Sequence, residues 1–260
     1  MSTFKGPFRI VFEELRIQFY IIAIITIVLT ALYVCLGIIN ANNDETFNVG
    51  ANFGPVYGFL LLYPFFFFNN SYQYTLALGG TREQFMLAAS ISGILFIVCS
   101  MLIINLLLVL NGWLIEQQYS SSTIFHMGDL LPTSNPFLYY CLDLFYGVFL
   151  FGTGVFISSI WFKFGTVRTL ALATVIGMVA IISITFGDLS LVWDTFLHEQ
   201  LLFAFIVGAI GIIALVFAYF LMRNGPLERG GDGGFFGKKI AILILRGRAI
   251  VHDLFYVDKP

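Results

Sequence analysis

Residues 74–85 read YTLALGGTREQF, and Arg82 within this stretch is the only lysine or arginine between Arg16 and Lys163. The residues on either side of the stretch form long apolar runs. Positively charged residues next to membrane-spanning segments are retained preferentially on the cytoplasmic side. A single arginine in so long an uncharged field therefore predicts a cytoplasmic turn between two membrane segments.

The residues of this turn have the pattern of one helix ending and another beginning. Gly79 and Gly80 are typical of a helix C-terminus, and Thr81 is a suitable N-cap for the next helix. Gln84 stands three residues after Thr81, as a capping box requires. Glu83 lies in the first helical turn, where a carboxylate favours the positive end of the helix dipole. The stretch predicts a short helix, a glycine break and a capped membrane helix.

The composition places the chain among integral membrane proteins. Hydrophobic residues make up 59% of the chain, only 11% of residues are charged, and the mean hydropathy is +0.92. Soluble domains carry about 25% charged residues. Uncharged runs of about 20 residues mark membrane spans, because that length crosses about 30 Å of hydrocarbon. We therefore predict an all-α integral membrane protein with six transmembrane helices, at residues 19–39, 53–70, 86–111, 137–160, 169–187 and 201–222.

The distribution of charge predicts that both chain ends are cytoplasmic. All 13 lysines and arginines then fall in the cytoplasmic segments. The three segments predicted outside, 40–52, 112–136 and 188–200, hold acidic residues and no lysine or arginine. The formal net charge of −2 thus averages a basic inner face with an acidic outer face. The predicted parts are an interfacial helix at 1–18, a transmembrane domain at 19–222 and a cytoplasmic tail at 223–260.

The N-terminal segment has the pattern of a helix that lies in the headgroup plane. Residues 4–18 place phenylalanines on one helical face and charged residues on the other. We expect Phe8, Arg9, Phe12 and Arg16 to contact membrane lipids there.

Polar residues within the predicted spans are few. For Asn105 in the third span, we favour a hydrogen bond between helices over contact with a substrate. Asp143 lies about two turns into the fourth span. We favour a carboxylate at the outer membrane interface, and the alternative is a buried proton or cation site. His126 falls in a predicted outside loop, and no two histidines have metal-ligand spacing, so we expect no metal site.

The sequence carries none of the motifs of a zinc protease, a serine hydrolase or a phosphate-binding loop. We therefore expect no enzymatic activity and no cofactor bound by this chain. Nothing in it indicates binding of nucleic acid. Pairs of small residues four positions apart instead predict close helix packing, at Ala89 and Gly93, Gly154 and Ser158, Ala173 and Gly177, and Ala204 and Gly208.

The predicted architecture and the 74–85 turn together resemble the permease subunits of type 2 ABC exporters, in particular the small permeases of Gram-positive bacteria. In that family the first cytoplasmic loop carries a coupling helix with the pattern Leu-x-Leu-Gly-x-Thr/Ser-Arg-x-x-Phe. The residues that match this pattern are Leu76, Leu78, Gly79, Thr81, Arg82 and Phe85. The resemblance in architecture covers residues 1–222, whereas the motif covers about ten residues.

The resemblance implies a function in ATP-driven export from a bacterial cell membrane. ATP and magnesium would bind to a separate ATPase subunit, and a second copy or paralogue of the permease would complete the transporter. Tyr74 to Leu78 would form the helix that seats in the ATPase, with Gly79 and Gly80 as the break. Arg82 and Glu83 would contact the ATPase or lipid headgroups. The aromatic content, 17% of residues, favours an amphiphilic or peptide-like cargo.

Two other classes of function stay open on the sequence. The glycine-rich tail around residues 230–237 is followed by an apolar run too short to span a membrane. It is compatible with a membrane anchor or sensor that assembles partners through its tail and transports nothing. A channel or carrier that works without an ATPase is disfavoured, because the spans lack charges at the midplane.

Overall fold

The computed structural model describes residues 4–41, 47–49, 54–68, 71–126, 128, 135–187, 195 and 199–226. The predicted tail beyond residue 226 lies outside these residues, as do most of the segment 188–199 and parts of the other two predicted outside segments. The described chain forms helices α1 (Lys5–Ala41), α2 (Gly54–Phe67), α3 (Ser71–Ala77), α4 (Arg82–Glu116), α5 (Pro136–Phe164), α6 (Thr166–Phe186) and α7 (Gln200–Arg223), with short strands β1 (Phe47–Val49) and β2 (Ser122–Ile124).

Five helices, α1, α4, α5, α6 and α7, are long and apolar enough to cross a membrane. The remaining predicted span, 53–70, is the second in chain order, and it contains the 14-residue helix α2. At 1.5 Å per residue α2 is about 21 Å long, which is less than the hydrocarbon thickness. Its Pro64 lies inside the helix, and the chain turns after Phe67 before α3 begins. The helical membrane class is thus supported, with five helices of spanning length and one shorter apolar helix.

The sequence predicts an interfacial helix that ends at residue 18 and a separate membrane span that begins at residue 19, whereas the structure has the single helix α1. It is one continuous helix of 37 residues, about 55 Å long. No glycine or proline occurs between Phe8 and Leu36, so no helix-breaking residue interrupts it there. Val11 and Leu15 are buried, whereas Arg9 is exposed and Arg16 pairs with Glu13 at 2.6 Å.

The predicted phenylalanine face forms as a stack of rings on this helix. Phe8 lies 5.6 Å from Phe12 and 5.9 Å from Phe4, measured between ring centroids. Phe4 and Phe8 also pack against the buried core. The contact of this helix with lipid headgroups stays a prediction.

Contacts between side chains establish the direction of each helix. Phe19 of α1 contacts Phe96 of α4, and Gly37 lies beside Ser120 just beyond α4, so these two helices run parallel.

Tyr57 and Pro64 of α2 contact the early and late parts of α5, which makes α2 and α5 parallel. Helix α7 also runs parallel to α5. Helix α4 is antiparallel to α5, since Asn105 in its second half contacts the early part of α5. The bundle therefore has an α3 end, where α4 begins and α5 and α7 finish, and a β end, where β1 and β2 lie.

Helices α5 and α7 approach most closely at two glycines. A Cβ atom added to Gly152 would lie 2.2 Å from the carbonyl oxygen of Gly211. One added to Gly211 would lie 2.6 Å from the Cα of Phe149. Gly208, from the predicted pair with Ala204, packs against Phe145 in the same interface. Small residues thus allow the two backbones to touch, as expected of membrane helices.

Two of the other predicted small-residue pairs also contact neighbouring helices. Gly93 lies against the ring of Phe151, and Gly154 lies beside the backbone of Leu61. Gly177 differs, because a Cβ atom added there would meet nothing within 4 Å. Helix α6, which carries Gly177, has no buried residue among those described.

The β end contains a strand pair that the all-α prediction does not include. Strands β1 and β2 are parallel, with Phe47 opposite Ser122 and Val49 opposite Ile124. The carbonyl oxygen of Gly37 accepts hydrogen bonds from the backbone and hydroxyl of Ser121, at 3.3 and 3.1 Å. Asn111 of α4 donates to the carbonyl oxygen of Ser122 at 3.2 Å. The β2 segment is thus attached to both α1 and α4.

Replacing Gly152 by valine should destabilise the bundle, because the added side chain collides with the backbone of α7. We expect a loss of about 1–3 kcal/mol in the free energy of unfolding, as for an overpacked core. Gly177→Val is the matched control, because it adds the same side chain at an open position of a helix. Thermal unfolding of both purified variants in the same detergent measures the difference. Equal melting temperatures would contradict the close contact of α5 and α7.

Candidate functional site

Helix α3 is anchored to the bundle through a buried group of four aromatic rings, which we call the α3 aromatic cluster. Its members are Phe68, Tyr72, Phe85 and Phe162. The ring of Tyr72 lies 5.2 Å from both Phe85 and Phe162, and 5.9 Å from Phe68. All four side chains are at most 4% exposed. The cluster joins α3 to the end of α2, the start of α4 and the end of α5.

The turn between α3 and α4 has the predicted geometry. Gly79 has φ of 83°, in the left-handed region that favours glycine. The hydroxyl of Thr81 accepts a hydrogen bond from the backbone N–H of Gln84 at 3.2 Å. The side chain of Gln84 in turn accepts one from the backbone N–H of Thr81 at 3.1 Å, which completes a capping box. The predicted glycine break and helix cap are both confirmed.

Two polar contacts tie α3 to distant parts of the chain. The hydroxyl of Ser71 donates a hydrogen bond to the carboxylate of Glu14 on α1. The hydroxyl of Tyr72 donates to the carbonyl oxygen of Pro226, beyond α7, at 3.0 Å. Helix α3 therefore contacts both the first helix and the chain that follows the last one.

Burial raises the pKa of the Tyr72 hydroxyl, and the guanidinium of Arg82 beside it acts in the opposite direction. A tyrosine hydroxyl is protonated at neutral pH even without this shift, so it can donate to Pro226. Arg82 is therefore partly engaged within the turn.

Glu83 forms an ion pair that links the start of α4 to the end of α7. Its carboxylate lies 2.7 Å from Nε of Arg223. Both side chains are about half exposed, and exposed ion pairs contribute little to stability. The pair positions the two helix ends relative to one another. Glu83 therefore pairs with a residue of its own chain. The sequence prediction places it in contact with the ATPase or lipid headgroups and does not include this ion pair.

The opposite face of α3 presents apolar side chains outward. Tyr74 is 65% exposed and Leu78 is 76% exposed, and they lie four residues apart on one helical face. Leu76, between them, packs partly against the core. Gly80 faces inward, because a Cβ atom added there would lie 2.8 Å from the carbonyl oxygen of Thr75. Among the predicted coupling residues, Tyr74 and Leu78 are thus the ones most available to a partner.

A second polar site lies toward the β end and is centred on Asp143. This residue is fully buried, and its carboxylate accepts three hydrogen bonds. The hydroxyl of Tyr57 donates to Oδ1 at 2.7 Å, and the side-chain amide of Asn105 donates to Oδ2 at 2.8 Å. Nε2 of His126 lies 2.9 Å from Oδ2. We call these four residues the Asp143 cluster, and it joins α2, α4, α5 and the segment after β2.

Backbone geometry assigns the proton on His126. The backbone N–H of Gly128 points at Nδ1 of His126, 2.8 Å away, so Nδ1 must accept. The neutral ring therefore carries its proton on Nε2 and donates to Asp143. Asn105 uses its second amide N–H on the carbonyl oxygen of Met101 at 3.1 Å, which fixes the orientation of its side chain. Three donors are thus directed at the carboxylate of Asp143.

The structure encloses Asp143 within the protein, an environment not included in the prediction of a carboxylate at the outer membrane interface; its depth in a membrane stays a prediction. Asp143 is 0% exposed because three other segments surround it. The prediction for Asn105 is confirmed, since its amide joins α4 to α5. Sequence reasoning missed Tyr57 as a partner and treated His126 as a loop residue. These residues are 86 and 17 positions from Asp143 in the sequence, so no local spacing indicates the contact.

No group of three or more potential metal-ligating side chains, histidine, cysteine, aspartate or glutamate, forms within the described part of the chain. The Asp143 cluster holds one carboxylate and one imidazole, with its other donors occupied.

Comparison with known proteins gives no relative for this chain: no protein-family model, curated protein or solved structure matches it.

Replacing Asp143 by alanine should be strongly destabilising, because it leaves the donors of Tyr57, Asn105 and His126 buried without their acceptor. We expect a loss of about 3–5 kcal/mol in the free energy of unfolding, as for one partner removed from a buried charged pair. Glu116→Ala removes an exposed carboxylate near the same end of the bundle, and we expect it to change stability by less than about 0.5 kcal/mol. Denaturant unfolding in detergent provides the comparison, and similar losses for both variants would contradict the cluster.

Proposed function

We propose that this chain is the membrane-spanning permease subunit of an ATP-driven exporter, with ATP hydrolysed on a separate subunit. The observation that carries the proposal is the two-sided character of α3. One face holds Tyr72 in the α3 aromatic cluster, and the other exposes Tyr74 and Leu78. A short helix with this arrangement suits the transfer of movement from a partner into the bundle.

The contacts of α3 define a path for that movement. Tyr74 lies on the same helix as Tyr72 and Leu78 directly follows that helix, so a force on either side chain reaches Tyr72 within about two turns. Tyr72 contacts Phe85 at the start of α4 and Phe162 near the end of α5. Packed side chains transmit displacement because interiors are dense and resist compression. A tilt of α3 would therefore move the ends of two long helices together.

The polar contacts around the turn support the same role. The ion pair of Glu83 with Arg223 and the hydrogen bond of Tyr72 to Pro226 couple the turn to α7. The capping box and the left-handed Gly79 keep α3 and α4 as separate rigid elements joined by a sharp break. In our proposal Tyr74 and Leu78 contact the ATPase, whereas Arg82 and Glu83 hold the turn in position.

The arrangement of the helices favours a transporter that contains two permeases. The chain direction alternates between the two ends of the bundle, which agrees with six crossings if α2 and its flanking residues complete one of them. Helix α6 has no buried residue in the described chain, so its apolar sides are available to lipid or to a second permease, identical or paralogous. Alternating access of the two halves would export an amphiphilic or peptide-like cargo across a bacterial cell membrane.

We predict that an ATPase with a phosphate-binding loop is encoded next to this protein's gene, and the coupling role can be tested by co-purification with that ATPase. Tyr74→Asp places a charge on the exposed face of α3 without altering a buried contact. We expect it to reduce co-purification with the ATPase at least about tenfold, as for an apolar anchor in an interface. Tyr119→Asp is the matched control, because Tyr119 is 62% exposed at the β end, close to the 65% of Tyr74.

The same assay separates the proposal from its alternative. Arg82→Glu and Gly79→Pro should also weaken the complex, because they disturb the turn that positions α3. Undiminished ATPase binding and ATP-driven transport in Tyr74→Asp, Arg82→Glu and Gly79→Pro would overturn the coupling assignment. Partner binding that is lost only when residues 230–260 are deleted would instead favour a membrane anchor that acts through its tail.

A further inference from the structure

We propose that His126 and Asp143 form a proton-binding site at the β end of the bundle, which takes up one proton on Nδ1 of His126 and thereby releases Gly128. The proposal follows from the geometry of the pair and is independent of the ATPase partner. It concerns a different end of the molecule from the α3 turn.

The centre of the cluster is a buried carboxyl group with three hydrogen-bond partners. Asp143 accepts from Tyr57, Asn105 and the Nε2–H of His126. Side-chain exposure is 2% for His126 and 1% for Asp143. An ionised carboxylate in such surroundings is costly unless it is fully hydrogen-bonded or matched by a positive charge. Within the described chain, the imidazole of His126 is the only group that makes an ion pair with Asp143 when it is protonated.

Protonation of His126 would change one bond and keep another. The Nε2–H still donates to Asp143, and the contact becomes an ion pair. Nδ1 becomes a donor, however, and it faces the N–H of Gly128 at 2.8 Å. Two donors cannot share that contact, so Gly128 must move away. Uptake of one proton on Nδ1 thus breaks one backbone hydrogen bond, the one from Gly128.

Gly128 packs tightly where it is held. A Cβ atom added to it would lie 2.5 Å from the ring of Tyr139, which itself stacks on His126 with 5.2 Å between centroids. The chain before His126 has separate attachments, from Ser121 to Gly37 and from Asn111 to Ser122. Loss of this bond would therefore release Gly128 from His126 and leave β2 attached.

Among the described residues, the titratable side chains that lie around the pair are tyrosines. Tyr57 approaches from α2, Tyr139 and Tyr146 lie on α5, and α4 contributes the neutral Asn105. Tyrosine side chains ordinarily titrate near pH 10, and imidazoles ordinarily titrate near neutrality. In the proposed topology this end faces the exterior, and the site would respond to acid there.

The test uses the purified full-length protein in lipid nanodiscs, with its three histidines labelled with ¹⁵N. Nitrogen chemical shifts distinguish the two neutral tautomers from the protonated ring, and the His126 signal is assigned by its absence in His126→Gln. We expect the Nε2–H tautomer at neutral pH. Between about pH 8 and about pH 4.5 we expect conversion to the doubly protonated ring.

Hydrogen exchange provides the structural readout on the same sample. After correction for the intrinsic pH dependence of exchange, we expect the amide of Gly128 to lose protection at least about tenfold as His126 becomes protonated. The backbone of Ser122 should keep its protection over the same range, because Asn111 and Gly37 still hold its segment. An Nδ1–H tautomer at neutral pH, or unchanged Gly128 protection through the titration, would overturn the proposal.

A set of variants tests the role of the carboxylate. Asp143→Asn removes the charge that favours protonated His126, so we expect the midpoint of the His126 titration to fall by at least about one pH unit. Tyr57→Phe keeps the charge and should shift the midpoint by less. Glu116→Gln removes an exposed carboxylate and should leave it unchanged. A midpoint that is the same in Asp143→Asn and in the unmodified protein would overturn the proposal. If Asp143→Asn does not fold, the tautomer and exchange measurements on the unmodified protein decide.

Discussion

The bundle depends on the contacts of α5, which packs against α2, α4, α6 and α7. Its closest neighbour is α7, where Gly152 and Gly211 bring the two backbones into contact. In a bilayer the apolar faces of helices gain little from leaving lipid, so association relies on close packing and hydrogen bonds between helices. Helix α5 provides both, through its glycines in the middle and through Asp143 near its start. Its neighbours are positioned by these two kinds of contact.

Both candidate sites lie on this same helix. Phe162, near the end of α5, belongs to the α3 aromatic cluster, and Asp143, near its start, centres the polar cluster. The two residues are 19 positions apart, so about 28 Å of continuous helix separates them. Helix α4 makes the same connection, with Phe85 at one site and Asn105 at the other. A rigid displacement of α4 or α5 would therefore move residues of both the α3 aromatic cluster and the Asp143 cluster.

Local sequence patterns were informative where the structure depends on neighbouring residues. The capping box of Thr81 and Gln84 and the left-handed Gly79 were predicted correctly, because each involves residues within three or four positions. The small residues of α5 and α7 also indicated packing, although not which helices would meet. The strand pair and the Tyr57 and His126 contacts of Asp143 were not predictable, since they join distant segments whose arrangement depends on the whole bundle.

The interpretation of Asp143 shows why depth in a span does not determine the environment of a residue. Two turns from the start of α5, a carboxylate in isolation would lie at the membrane interface and be solvated. Here the short helix α2 and the segment after β2 cover that position, so the carboxylate is buried and its hydration is replaced by three protein donors. His126 contacts this carboxyl group through Nε2 and accepts from Gly128 through Nδ1, so the two contacts together favour one tautomer. Neither His126 nor Asp143 could be assigned this environment from its own stretch of sequence.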